Sequence, residues 1–402
     1  MAANPSPPDY GELFEHYVIR SVQAMYKRIQ TGNDAPLGEQ AAAYAKHVLD
    51  FGLASDAAWP FTRDLLLMLA PKLEQAGHRD DWLAYLEQGI AASLRCADPR
   101  AEAELRLQAG HLHYLCSRFA LAEQQLNDSL ARFQTCGDRR GQARTHNELA
   151  WLGHLQHQYA EATQQVEKAL VLLDDKDPER ATSYRVQGMI AIDQRRWEEA
   201  ETFHRQALAL LEQQGDLRRI AGSIQNLAYA LRGQKRLQEA LAYCQQAATM
   251  LDQLKDIHRL AIAHLTLGGV YYHLNEPAQA VKSYKQAEII FNRLFDKLNI
   301  AKINTGLGLG YLAIQQYREA QNAFSTSIRL FTELKDESLR LNATDGLVMV
   351  YLAGGQSKQA IALAEQALHE LAGMTNAPNY AYLLQSLTAH LAEARQGQGG
   401  AF

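Results

Sequence analysis

Several groupings in this chain have the residue types and spacings that reactive sites use. His111-Leu-His113 and His154…His157 stand at ligand-like separations, and imidazoles are common zinc ligands. No clustered cysteine or carboxylate set accompanies them, so no metal is expected. Gly306, Gly308 and Gly310 in NTGLGLGYL resemble a phosphate-cradling run. A run of that kind works at a strand–turn–helix junction. Here it lies inside a helical apolar pattern, so close helix packing is the reading. The acidic pairs Glu198-Glu199 and Asp174-Asp175 read as helix-start and loop charges, since carboxylates favour the positive end of a helix. No nucleophile, base and orienting group can be assembled. The chain is expected to be non-enzymatic and to need no cofactor.

Composition is ordinary for a soluble protein. Of 402 residues, 47% are hydrophobic and 21% charged, and the formal net charge is −5. A nucleic-acid binder would carry a basic footprint, so no nucleic-acid partner is expected. Four cysteines are too few for a disulfide framework. Cys96, Cys116 and Cys136 recur every twenty residues and read as small hydrophobes near successive helix ends. The most apolar run, DLLLMLAPKL, is interrupted by Pro71, so no membrane span is expected. The N-terminus lacks a basic segment followed by an apolar one. A cytoplasmic protein is the expectation.

The elements that would position any site come from an internal repeat. Aligned on a small residue near the start of a helix, the series is Ala122, Ala162, Ala200, Ala240, Ala280, Ala320 and Ala360, with spacings of 40, 38, 40, 40, 40 and 40. A period of this size signals a solenoid of stacked helix pairs. Twelve residues before the key alanine stand Gly110, Ala150, Gly188, Ala228, Gly268, Gly308 and Val348. Seven after it stand Ser129, Ala169, Ala207, Ala247, Ala287, Ser327 and Ala367. Short side chains at these offsets let two helix backbones approach closely. Leu149, Leu227, Leu267, Leu307 and Leu347 fill the space between.

Loops such as TCGDRRGQA, QQGDLRRIA and LKDESLRLN end one helix with Gly or Lys and cap the next with Asp. LDDKDPERA, in the 38-residue unit, has lost two residues and gained Pro178; it should form a tighter connection, not a domain boundary. Counting back from Ala122 lands on Trp82, a bulky residue at the usual alanine of a first unit, Pro60–Ala97.

Outside the array the pattern changes. Residues 1–8 are Pro-rich and read as disordered. Leu13, Tyr17, Val18, Val22, Met25 and Ile29 mark one helix face, ending at the TGNDAP breaker. Ala41, Tyr44, Ala45, Val48 and Leu49 mark a second. Neither helix fits the repeat, as expected of a terminal cap. A last helix is expected from about Asn379 to Arg395, followed by a flexible GQGGAF tail. The division is 1–59 tail and N-terminal cap, 60–375 array, and 376–402 C-terminal cap and tail.

Leu267, Gly268, Tyr271, Ala280, Tyr284 and Ala287 follow the aliphatic–small, alanine–aromatic–alanine order of the tetratricopeptide repeat, and Leu307, Gly308, Tyr311, Ala320 and Phe324 repeat it. The chain resembles that family over about three-quarters of its length. The unit is 40 residues instead of about 34, and the closing proline is absent. In this it is similar to kinesin light chain, spindle-orientation adaptors and the sensor arrays of bacterial signalling ATPases. The resemblance implies an all-α, right-handed superhelical solenoid of about eight helix pairs with capping helices at both ends, whose first helices line a concave groove.

Groove positions would lie 15, 11 and 8 residues before each key alanine. They are Asn147, Trp151 and His154; Arg185, Met189 and Ile192; Gln225, Tyr229 and Arg232; and Leu265, Gly269 and Tyr272. Aromatics, amides and arginines of this kind make interface hot spots. The clamp of Lys, Asn and Arg with which some family members grip a C-terminal acid is not met. The expected function is a bacterial scaffold or adaptor holding a protein or peptide partner in the groove. The alternative is a sensory regulator whose groove takes a signal peptide or small ligand and controls an effector such as a protease, nuclease or transcription factor. A homo-oligomer through the end caps stays open.

Overall fold

The computed structural model describes residues 10–31, 39–75, 79–294, 296–374 and 379–399. Every regular element among them is an α-helix. The Pro-rich start, most of the TGNDAP breaker and the last three residues lie outside the described residues. The chain divides into two compact units, Met1–Gln187 and Gly188–Phe402. In each, consecutive helices pack as pairs and the pairs stack on their neighbours, which is the architecture of a helical repeat solenoid.

The first unit holds α1 (Tyr10–Thr31), α2 (Glu39–Gly52), α3 (Trp59–Gln75), α4 (Arg79–Arg95), α5 (Pro99–Leu115), α6 (Phe119–Thr135), α7 (Arg139–Leu155), α8 (Tyr159–Leu172) and the first half of α9 (Arg180–Asp193). The second continues from α9 through α10 (Trp197–Glu212), α11 (Leu217–Gly233), α12 (Leu237–Gln253), α13 (Ile257–His273), α14 (Pro277–Arg293), α15 (Lys297–Ala313), α16 (Tyr317–Leu334), α17 (Glu337–Ala353), α18 (Ser357–Leu371) and α19 (Tyr380–Gly399). The first helix of each pair is odd-numbered from α3 onward.

The register of the repeat is the register of the core. Ala122, Ala162, Ala200, Ala240, Ala280, Ala320 and Ala360 are each the fourth residue of a second helix and each is wholly buried. Trp82 occupies the equivalent place in α4 and is also wholly buried. At the +7 offset Ser129 and Ser327 are buried too. Their hydroxyls donate to the carbonyls of Ala103 and Ala301 on the partner helix, at 2.8 and 2.9 Å, so serine replaces alanine without leaving a buried polar group unpaired.

A further rule emerges from the packing. The small residue at −12 meets the residue at +4 of the same unit. Where −12 is glycine the partner is large, and an added Cβ would collide with it: Gly110 with Leu126, Gly188 with His204, Gly268 with Tyr284 and Gly308 with Phe324. Where −12 is Ala150, Ala228 or Val348, the +4 residue shrinks to Val166, Cys244 or Ala364. Interiors are close-packed, so the two volumes compensate. Tyr284 also fills the space left by Gly306, and Phe324 that left by Gly346. The Gly306, Gly308 and Gly310 run thus lies within α15, each glycine against a side chain.

The turns follow the expected chemistry. Asp138, Asp216, Asp256, Asp296 and Asp336 cap the first helices, each accepting from the backbone N–H three residues on. In the shortened unit Asp177 accepts from the N–H of Glu179 at 2.8 Å, and α8 and α9 have 14 residues where most helices have 17. From α5–α6 onward the turn inside each pair places one residue in the left-handed region, at Ser117, His157, Arg195, Lys235, Asn275, Gln315 and Gly355. Only Gly355 adopts it without a Cβ penalty.

Four expectations need correction. On α1, Leu13 and Tyr17 are exposed while Val18, Val22, Met25 and Ile29 are buried. On α2, Ala42 takes the buried place expected of Tyr44, which is exposed. A period of 3.6 defines a stripe but does not decide between adjacent positions at its edge. Cys136 is exposed and Cys96 and Cys116 are half-buried, so among the free cysteines only Cys244 is a core residue. They sit at helix ends, where the polypeptide leaves the packed layer. Finally, α19 runs through Gly399, beyond the stop expected at Arg395. No described helix is long and apolar enough to cross a membrane.

Candidate functional site

The groove positions proposed from the sequence fall on α7, α9, α11 and α13, and they divide between the two units.

In the first unit, Asn147 on α7 is 1% exposed. Its Nδ2 donates to Glu179 at 2.9 Å and its Oδ1 accepts from Ser183 at 2.7 Å, so the amide ties α7 to the start of α9. Trp151 is half-buried, His154 stacks on it with ring centroids 4.8 Å apart, and Arg185 of α9 covers its ring at 4.5 Å. Next to this group lies a cluster the sequence reading did not single out. Tyr114 on α5 donates to Glu148 on α7 at 2.6 Å, and His111 Nδ1 lies 3.1 Å from the same carboxylate oxygen. Burial acts to raise the carboxyl of Glu148. The charge and hydrogen bond of His111, the Tyr114 hydroxyl and the charge of Arg185 outweigh it and hold it down to about 2. Arg144 is likewise matched with Glu104 at 2.6 Å. His111 and Tyr114 stand 11 and 8 residues before Ala122. The spacing rule reaches them when started one unit earlier.

In the second unit, Met189 packs half-buried against Ala191, Ile192, Ala200 and Ala230, and Gln225 is buried. Tyr229 is 37% exposed, and the guanidinium of Arg232, one turn along α11, lies 4.2 Å from its ring centre. Gly269 on α13 makes room for that guanidinium, which a Cβ would strike. Tyr272 is half-buried on the same face. Burial and the neighbouring Tyr382 push its hydroxyl up. Tyr284 is pushed up to about 12 by burial, against the lowering effect of Arg232. Tyr382, on α19, is itself covered by Arg195 at 5.0 Å. Among the described residues neither Arg195 nor Arg232 forms an ion pair. Arg195 and Tyr382 escape the sequence reading because the helix carrying Tyr382 was read as a cap, and no periodicity links it to the α9–α10 turn.

The two faces therefore offer different things. The first is a closed hydrogen-bonded network. The second is an array of tyrosines and arginines whose cations meet no carboxylate among the described residues.

Models of the tetratricopeptide repeat match residues 220–292 and 183–218. No curated protein matches the chain by sequence. Among solved structures it is similar to a Rap protein complexed with competence and sporulation factor, at 14% identity and a TM-score of 0.58, over 95% of this chain and 99% of that one. It is similar to NprR in complex with its cognate peptide NprX, at 13% identity and a TM-score of 0.54, over 71% of this chain and 82% of that one. It is also similar to a signal transduction ATPase with a tetratricopeptide repeat sensor from Pyrococcus horikoshii, at 12% identity and a TM-score of 0.58, over 98% of this chain and 65% of that one. At these identities the likeness is one of fold.

Proposed function

Starting from a chain that belongs to the tetratricopeptide repeat family, we propose that it is a non-enzymatic scaffold holding a segment of a partner protein on the first-helix face of its second unit. One observation carries the reading. Arg232 is stacked on Tyr229 and reaches Gly269 of α13, yet has no carboxylate of its own among the described residues. Stacking holds a guanidinium in place while leaving its in-plane N–H donors for a ligand. Tyrosine and arginine are the residue types that dominate binding energy when they cluster. The partner segment supplies an acidic side chain to Arg232 and apolar or aromatic surface to Tyr229 and Tyr272. The test is to recover partners by pull-down and mass spectrometry, then titrate the recovered segment against Arg232→Ala and Tyr229→Ala. Loss of affinity of tenfold or more supports the assignment; unchanged affinity in both variants sinks it.

A second reading, a peptide-sensing regulator, is favoured by the place of Tyr382. It brings the C-terminal helix α19 beside Tyr272 and Arg195, so a ligand on this face would meet α19 as well. The NprR structure similar to this chain was solved with its cognate peptide, and the Rap structure with competence and sporulation factor, which agrees with either reading. Hydrogen exchange in α19 separates them. A regulator changes α19 protection when its peptide binds, whereas an adaptor leaves it unaltered.

A further inference from the structure

Eleven residues before the key alanine the side chain is large in six of the seven aligned units: His111, Trp151, Met189, Tyr229, Leu309 and Met349. The unit of α13 and α14 has Gly269 there instead. Glycine weakens a helix interior, so its presence calls for a close approach, and its neighbours supply one. A Cβ at Gly269 would strike Nη1 of Arg232, which reaches over from α11. The same Cβ would stand 3.7 Å from the hydroxyl oxygen of Tyr284, on α14. The guanidinium and the phenol thus converge on one notch in α13.

Neither donor is spent. Arg232 forms no ion pair and Tyr284 no hydrogen bond among the described residues. The Tyr284 ring is held between Gly268 and Gly306, and the residue is 5% exposed. Its oxygen is not one of the sealed, partnerless side-chain atoms, so the little exposure that remains includes the hydroxyl. The charge of Arg232 is felt all round. Burial and that charge hold His273 below its ordinary value, and the charge works against burial at Cys244 and Tyr284. A guanidinium and a protonated phenol both offer hydrogens, so the group that satisfies them together is an oxyanion, through charge-assisted bonds of the stronger kind. One cation balances one negative charge, which fits a carboxylate better than a phosphate dianion.

We propose that the Gly269 notch is a carboxylate site, the carboxylate accepting from the Arg232 guanidinium and from the Tyr284 hydroxyl, with an aromatic or apolar group beside it on Tyr229. The proposal rests on the partner face assigned above and names the group lodged there and the second donor that holds it. An acidic side chain and a chain terminus present the same carboxylate chemistry.

The test uses the full chain labelled with ¹⁵N at its arginines, with the Arg232 Nε–H resonance assigned through Arg232→Lys. The probe is 3-phenylpropionate, and its neutral amide, 3-phenylpropanamide, is the control. The expected result is a saturable shift of the Arg232 resonance with the acid and none with the amide. Affinity should weaken roughly tenfold in Tyr284→Phe, which keeps the ring and removes the donor. Gly269→Ala, whose Cβ displaces the guanidinium, should abolish the shift. A resonance that does not move up to the solubility limit of the acid overturns the proposal, and so does equal binding of acid and amide. Tighter binding of phenyl phosphate than of the acid also overturns it, assigning a phosphoryl group instead. Unchanged affinity in Tyr284→Phe or Gly269→Ala, with melts matching the parent, sinks the notch while leaving Arg232 able to bind an anion. The partner titration against Arg232→Ala judges that wider reading separately. Should neither variant fold, the comparison of acid with amide on the parent chain decides. Two blocked peptides assign the source: acetyl-Phe-Glu-amide carries only a side-chain acid and acetyl-Phe-Gly only a terminal one, and the tighter binder names it.

Discussion

The two units use the same helix pair to build first-helix faces of opposite character. On α5 and α7 the groove positions hold His111, Tyr114, Asn147 and Trp151, and their polar atoms are largely consumed by Glu148, Glu179 and Ser183. On α11 and α13 the same positions hold Tyr229, Arg232 and Tyr272; Arg232 stacks on Tyr229 and meets no carboxylate among the described residues. A hydrogen-bonded network buried at low dielectric makes a face rigid and specific. A stacked arginine without an anion leaves interaction energy for a partner. The same scaffold thus carries one face whose polar groups fix its own shape and one that the proposed function assigns to a partner.

Substitutions can break that comparison in graded ways. The largest effect is expected where packing holds neighbouring helix pairs of the second unit together. Phe324→Ala empties the space bounded by Gly308 and Gly346 and should cost about 3–5 kcal/mol in denaturant unfolding. A smaller loss would mean that the glycines collapse onto the void. Ala240→Leu overfills a wholly buried position and should cost about 1–3 kcal/mol. An unchanged melt would show that the register tolerates bulk there, as Trp82 does in the first unit.

Glu148→Ala removes the carboxylate that both Tyr114 and His111 meet and should cost about 1–3 kcal/mol. The pH dependence has a definite sign. A carboxyl held below its ordinary value stabilises the fold above the unfolded pKa of 4.5, and that contribution is lost as the pH falls toward about 2. Acid titration of the urea midpoint between pH 5 and 3 should fall less steeply in Glu148→Ala than in the parent. Equal slopes would remove Glu148 from the account.

Arg232→Ala should behave in the opposite manner, changing stability by less than about 1 kcal/mol while weakening partner binding tenfold or more. If it unfolds the second unit instead, the face is structural and the contrast between units disappears.

The smallest effect concerns α19. His390 donates to Asp345 at 2.7 Å when protonated, and Ser386 donates to the other carboxylate oxygen at 2.6 Å. The hydrogen bond and charge of Asp345 raise the His390 pKa despite burial. Its contribution is therefore complete below 6.5 and is lost as the pH rises through the raised value. Amide exchange in α19, corrected for intrinsic rates, should quicken over that rise in the parent and not in His390→Asn.

Much of this was legible before any coordinates. The positions of Ala122 to Ala360 predicted the buried start of each second helix, and the Asp residues of the linkers predicted the caps, because both are local consequences of spacing and backbone hydrogen bonding. The pairing of Gly110, Gly188, Gly268 and Gly308 with large residues sixteen positions later was equally present in the chain and went unread. Only the packing made plain that −12 and +4 touch. Glu148 could not be found by any search for groove positions, since it lies outside the three offsets.

What the amino-acid order determined on its own is the repeat: its period, its small positions, its capped turns and hence its helix pairs. These follow from interactions spanning a few tens of residues, which recur as text. Tertiary structure alone decided which polar groups are consumed and which stay available. Asn147 and Arg232 look alike as groove candidates in sequence, but one is closed by Glu179 and Ser183 while the other meets no anion among the described residues. It also decided that Tyr382 returns to Arg195. Valence and contact between distant residues depend on how stacked pairs are placed in space, and no periodicity encodes that.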